Sequence, residues 1–171
     1  MKKILLTLFL LAGIGVVAQA QKFATVDMSY IMKNIPAFES ANEQLNQVSK
    51  KWQAEIETQM KEVQQLYKNY QTELVFMSDE MKVKREEEIV SKEKATQELK
   101  QKYFGPEGEL FKKRESLIKP IQDEVYEAIE TICKDKNLDL VFDKNSSMST
   151  IFVSPKLDVS DEVLKKLGYS K

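Results

Sequence analysis

Side chains able to do acid–base or metal chemistry are scarce in this sequence. Histidine is absent from all 171 residues and cysteine occurs once, at Cys133. That removes the commonest general base and the commonest metal ligand. It also leaves no disulfide or Cys-rich zinc site to be made within one chain. Cys133 lies among Ile129, Ile132 and Leu138, where a thiol reads as a small core residue. Carboxylates are plentiful, but runs such as Glu86-Glu87-Glu88 and Asp123-Glu124 stand in helical pattern beside lysines and read as solvated faces. No Gly-rich phosphate loop and no Ser-His-Asp set is present. An enzyme is therefore not supported, and neither a cofactor nor a metal is expected. Lys112-Lys113-Arg114 is a short basic cluster in a chain with 26 basic and 27 acidic residues, which argues against nucleic-acid binding.

The remaining candidates are side chains that bind other polypeptides. Trp52, Tyr67, Tyr70, Phe76, Met77 and Met81 place aromatic rings and soft thioethers along one stretch, and methionine adapts to partners of differing shape. The same residues at helical spacing also serve as an intramolecular seam. Phe76, Met77 and Met81 fall where the chain is expected to turn, and there nothing in a single chain would cover them.

These residues are positioned by Phe38–Lys136, an almost continuous helical pattern. Its first half carries Leu45, Val48, Trp52, Ile56, Met60, Val63, Tyr67, Tyr70, Leu74 and Met77 at gaps of three or four, a spacing between a coiled-coil seam and an amphipathic helix. Ser78-Asp79-Glu80 is a helix start in mid-pattern: a capping hydroxyl, then two carboxylates in the positive first turn. The chain is thus predicted to reverse near 76–80. Folding it about Ser78 sets Trp52 near Tyr103 and Phe104. The returning arm is far more polar, with Met81, Ile89, Leu99 and Tyr103 as its seam residues. Gly105-Pro106-Glu107-Gly108 predicts a kink, after which Phe111, Ile118, Val125 and Ile132 continue the phase of Phe104. Pro120 is placed where a second bend could fall.

The two ends of the chain supply a small body. Lys22–Met28 alternates like a short strand, followed by a single helical turn capped by Asp27 or Ser29. Ile121, Val125, Ile129 and Ile132 give the last part of the long pattern a face to pack on a sheet. Asp139–Asp143 and Ser149–Val153 read as two further strands, and Ser160-Asp161-Glu162 starts a last helix stopped by Gly168. The fold class expected is α+β, mostly α: a body of three short strands plus helix, with a long protruding antiparallel helical hairpin. Such a body is a poor core and calls for a homo-oligomer.

Residues 1–20 read as a signal peptide. Lys2 and Lys3 precede the apolar run Ile4–Val17, and Ala18-Gln19-Ala20 sets cleavage before Gln21. Its removal leaves 24 basic against 27 acidic residues, a net charge of −3.

The order of these features, with the segments FATVDMSYIMKNIP, LIKPIQDEVYEAIETICKDKNLDLVFDK and FVSPKLDVSDEVLKKLG, resembles the Skp/OmpH family of periplasmic chaperones, in its Bacteroidetes-type OmpH branch. The resemblance implies a jellyfish-like homotrimer whose strands form the body and whose arms enclose a cavity for unfolded outer-membrane proteins. It implies an ATP-independent holdase, with residues 21–171 forming a single chaperone domain: body 21–37 and 119–171, arm 38–118. The family's lipopolysaccharide-binding cluster would correspond to Lys112, Lys113, Arg114 and Lys119, and would allow transient membrane-surface contact. The near-neutral charge departs from the strongly basic members of the family and puts electrostatic capture in doubt. The competing reading is an exported structural or adaptor coiled coil with one fixed partner.

Overall fold

The computed structural model describes residues 21–146 and 151–169. The expected signal peptide, and Ser149 and Thr150 of the expected third strand, lie outside them. Phe23–Val26 forms β1 and Leu140–Asp143 forms β2. The strands are parallel, with Phe23 opposite Leu140 and Val26 opposite Asp143. Parallel strands need a crossover, and here the crossover is the entire helical region. It comprises α1 (Met28–Lys33), α2 (Pro36–Glu73), a 3-10 turn (Leu74–Phe76), α3 (Asp79–Phe104) and α4 (Glu109–Lys136). After β2 come a second 3-10 turn (Pro155–Leu157) and α5 (Ser160–Lys166).

Each helix boundary has a local cause. Asp27 caps α1, its Oδ1 accepting from the Tyr30 N–H at 2.8 Å. Pro36 opens α2 at a position where its missing N–H costs nothing. Ser78 caps α3, accepting from the Met81 N–H at 3.3 Å, with Asp79 and Glu80 in the first turn. Asn137 ends α4 in the left-handed conformation, φ 52°. Helix α4 continues through Pro120. The break at Gly105–Gly108 separates α3 from α4, and both glycines are required there. A Cβ at Gly105 would sit 2.4 Å from the Gln101 carbonyl oxygen, and one at Gly108 would sit 2.8 Å from that of Tyr103.

The core lies where the helices cover the sheet. Ala24 and Val26 of β1, Ile31 and Met32 of α1, and Val163 and Leu164 of α5 pack with Ile121, Val125, Ala128 and Ile132 of α4. The α4 face is the predicted one, except that Ala128 is buried and Ile129 only partly so.

The third strand is corrected among the described residues, where the sheet has two strands. Ile151–Val153 takes no strand pairing, and the Ile151 and Phe152 side chains stand almost wholly in solvent. A strand needs a neighbour for its backbone groups, and no described strand pairs with this stretch. The chain rejoins β1 only at an isolated parallel bridge, Asp158 opposite Thr25, where the Val159 N–H donates to the Thr25 carbonyl at 2.9 Å.

A polar tie closes the body. The Lys144 ammonium lies 2.8 Å from Asp158 and 3.3 Å from Asp27. The Ser160 hydroxyl accepts from the Asp27 N–H at 2.8 Å and donates to Asp158 at 2.5 Å. Ser160 was expected as a helix-start residue, but its hydroxyl is engaged in this tie. Burial pushes the Asp158 carboxyl up; the Lys144 ammonium and the two Ser160 donors outweigh it and hold it below its ordinary range. Lys144 is held above its ordinary range, chiefly by its bond to Asp158.

Two outcomes are expected. Ile31→Ala, at a fully buried site, lowers the free energy of unfolding by about 2–5 kcal/mol in denaturant titration. The Asp158 contribution is present above its unfolded pKa of about 3.9 and is lost as pH falls through the lower folded value. The Lys144 contribution is present below about 10.4 and is lost as pH rises through the higher folded value. The urea midpoints of wild type and Lys144→Met should therefore differ by a constant amount across roughly pH 5–9 and converge at both extremes. A pH-independent difference refutes the tie.

Candidate functional site

The candidate surface is the hairpin of α2 and α3. At 1.5 Å per residue, the 38 residues of α2 span about 57 Å. Its apolar stripe is unevenly covered. Leu45 and Ile56 are buried, and Val48, Trp52, Val63 and Tyr70 are half-buried, while Met60, Tyr67 and Leu74 are exposed. The expected register is observed: the Trp52 ring stacks on Tyr103 at 4.6 Å and 5° and meets the edge of Phe104 at 6.4 Å.

Helix α3 returns little apolar surface. Only Ile89 and Thr96 are buried along its 26 residues. The Thr96 hydroxyl turns back to donate to the Lys92 carbonyl at 2.8 Å, so it satisfies itself and adds nothing to the seam. Beside it lies a cavity of about 250 Å³ lined by Ile56, Met60, Val63, Gln64, Glu93, Thr96, Gln97 and Lys100. It continues toward the tip as a groove with Tyr67, Lys68 and Gln71.

Polar ties across the hairpin supplement the seam. The Tyr70 hydroxyl donates to Glu86, and the Tyr103 hydroxyl to Glu55 at 3.1 Å. Lys92 lies 3.4 Å from Glu62, and Arg85 lies 3.8 Å from Glu73. The bond to Glu86 and partial desolvation raise the Tyr70 pKa. Desolvation first, then Glu55, raises that of Tyr103. Nothing local singles out Glu55 in the sequence, and Glu86 stands in a run that reads as a solvated face. Both are recoverable only once the fold about Ser78 pairs them with a tyrosine.

At the tip the candidates separate. Phe76 is 88% exposed, its neighbour Val75 is 85% exposed, and Met81 is exposed. Met77 is 9% exposed, which corrects the expectation that nothing covers it. The 3-10 turn ends at Phe76 and the backbone becomes extended at Met77, which turns that side chain inward to close the seam. The basic residues Lys112, Lys113, Arg114 and Lys119 are all exposed on α4. Three successive residues fan out at about 100° each, and Lys112 is already 3.5 Å from Glu109. They do not converge into a pocket.

A second apolar surface lies on the body. Paired residues share a face, so Phe23, Leu140 and Phe142 lie opposite the helices. The Phe23 and Phe142 rings are 6.4 Å apart, and Phe23 and Leu140 are exposed.

Three comparisons bear on this geometry. Residues 22–167 match the OmpH-like outer membrane protein family. An uncharacterised protein of Aquifex aeolicus (strain VF5) is 29% identical over 167 residues, covering 98% of this chain and 96% of its own. A crystal structure from Caulobacter crescentus CB15, of a candidate OmpH-like outer membrane chaperone, aligns with a TM-score of 0.68 over 86% of this chain and 84% of that one; at 11% identity it shows the shared fold. With nearly all of the chain after residue 21 matched, this protein belongs to the OmpH-like outer membrane protein family.

Proposed function

We propose that this protein is an ATP-independent holdase chaperone that keeps unfolded outer-membrane proteins from aggregating. The observation that carries the reading is the arm itself: a helix about 57 Å long whose apolar stripe is only half covered, ending in exposed Val75, Phe76 and Met81. A client's apolar segments would find partners there that are weak and many. A client held this way is kept from the edge-to-edge and apolar contacts that drive aggregation. The family membership and the chaperone description of the Caulobacter structure support the same reading. No catalytic residue and no cofactor is assigned.

The assembly proposed is a homotrimer in the periplasm, reached after cleavage before Gln21. Its body would comprise residues 21–37 and 119–171, and its arm residues 38–118. The uncovered sheet face of Phe23, Leu140 and Phe142, with solvent-exposed Ile151 and Phe152, supports association of bodies, since a small body gains most from shared burial. Client contacts are assigned to Trp52, Tyr67, Tyr70, Phe76 and Met81, with Met77 acting from within the seam. A lipopolysaccharide or membrane contact is assigned to Lys112, Lys113, Arg114 and Lys119, whose diverging side chains would meet an extended surface rather than enclose a headgroup. A fixed-partner adaptor would want a uniform seam, and the seam here thins beyond Ile56.

The mature chain, mixed with an unfolded β-barrel protein on dilution from urea, should suppress light scattering at one oligomer per client; unchanged scattering defeats the holdase reading. Val75→Ser with Phe76→Ser should weaken suppression several-fold without altering the circular dichroism. In sedimentation, the mature chain should run at three times its chain mass, and Phe152→Asp should shift it toward the monomer.

A further inference from the structure

The two helices of the arm are unequal partners. Helix α2 offers a stripe running from Leu45 to Tyr70, whereas α3 has almost no apolar face and buries only Ile89 and Thr96. Along their junction runs a groove of about 250 Å³, half open to solvent. Its α2 wall is Ile56, Met60, Val63 and Gln64, and its α3 wall is Glu93, Thr96, Gln97 and Lys100. The cross-hairpin ties are polar and solvent-exposed, where each is worth little. Helix α3 is also joined to α4 only through the four-residue break Gly105–Gly108, whereas α2 runs past that level without interruption. The one dense contact holding α3 at its base is the stack of Trp52 on Tyr103 and Phe104, immediately before the break.

We propose that α3 is a displaceable cover. It lifts from α2 about Gly105–Gly108 once the Trp52 stack releases, and an apolar stretch of an unfolded chain takes its place on Ile56, Met60 and Val63. The occupant follows from the mismatch. Ile56, Met60 and Val63, with Gln64 beside them, face threonine, glutamine and charged groups across an open groove that leaves Met60 half in solvent, and aliphatic or aromatic residues would cover them better than α3 does. A site whose resting cover fits poorly can be opened by any sufficiently apolar segment without a particular sequence. This inference rests on the chaperone reading and adds that the client-binding surface is stored inside the arm.

The test uses the full mature protein and the fact that Trp52 is the sole tryptophan. Hydrogen exchange on the free protein should show residues 79–100 opening together, at least tenfold faster than residues 40–56 of α2. Adding a tryptophan-free unfolded β-barrel client should shift Trp52 emission to the red. Thr96→Leu, which gives the α3 wall an apolar side chain to meet Ile56, should slow exchange of α3 and client capture together, by about tenfold each. Ile89→Ala should speed both. Suppressed scattering with unchanged Trp52 emission would overturn the cover while leaving the holdase reading intact. So would Thr96→Leu or Ile89→Ala variants whose α3 exchange changes while client capture does not. A red shift that grows with protein concentration in the absence of client would assign the exposed stripe to a second copy of this chain and overturn the unfolded-chain occupant. If scattering is not suppressed at all, the chaperone reading falls, and exchange of α3 no faster than that of α2 would remove the cover with it.

Discussion

The arm of this protein depends on a mismatch: a long helix with a continuous apolar stripe is paired with one that has almost no stripe to return. A fully buried side chain of the Leu or Ile class gains about 1.5–3 kcal/mol, and ordering a residue costs about 1–2 kcal/mol. Where both helices contribute to a seam, the two terms balance over a few turns. Here Met60, Tyr67 and Leu74 remain exposed on the paired stripe, so the balance tilts against the distal arm. The hairpin is therefore best ordered near the body, where Leu45 and Ile56 are buried and the Trp52 stack sits.

That dependence gives the body a particular task. Strand β1 precedes the arm and β2 follows it, and the two pair in parallel, so the arm is an insertion between neighbouring strands. Four-residue strands alone would hold such an insertion weakly. The Lys144–Asp158–Asp27 tie, with the Ser160 hydroxyl linking the Asp27 backbone N–H to the Asp158 carboxylate, joins three segments that are distant in sequence. Its charges lie at the rim of the core, partly shielded from water, and each carboxylate accepts further donors, so the pairing is not left to offset desolvation alone. The base can then stay closed whatever the arm does. A projecting surface that changes conformation needs such a base, since otherwise each movement would propagate into the core.

Local chemistry is readable from the sequence, and non-local chemistry only where a single reversal point sets the register. The Ser78 start of α3, the Asp27 cap, the break at Gly105–Gly108 and the stop at Gly168 each follow from a few adjacent residues. The Trp52–Tyr103–Phe104 contact was also legible, because one reversal point fixes the register of a whole hairpin. Met77 was misplaced because periodicity identifies a face but not how the last turn unwinds. Glu55 and Glu86 were passed over because a carboxylate on a helix is ordinarily solvated, and only the opposing tyrosines give it a partner. The Lys144 tie was out of reach, since its members sit at 27, 144 and 158–160 and nothing local marks them. The third strand failed for a different reason. Ile151–Val153 has strand-forming residues, but a strand is defined by a neighbour, and none of the described strands pairs with it.

The position of the helix break also follows from this imbalance. Had Gly105–Gly108 been placed at mid-arm, lifting the outer half of α3 would leave its inner half as a short helix with few contacts, and opening would be gradual. Placed at the inner end of α3, directly after the aromatic stack, the break makes α3 a single segment held by the stack near the pivot and, beyond it, by Ile89, Thr96 and exposed polar ties. A segment held in that way tends to open as a unit once the stack gives. Both glycines at the break are sterically committed, since a Cβ at either would meet a backbone carbonyl at under 3 Å. The position of the break is therefore fixed by the backbone itself.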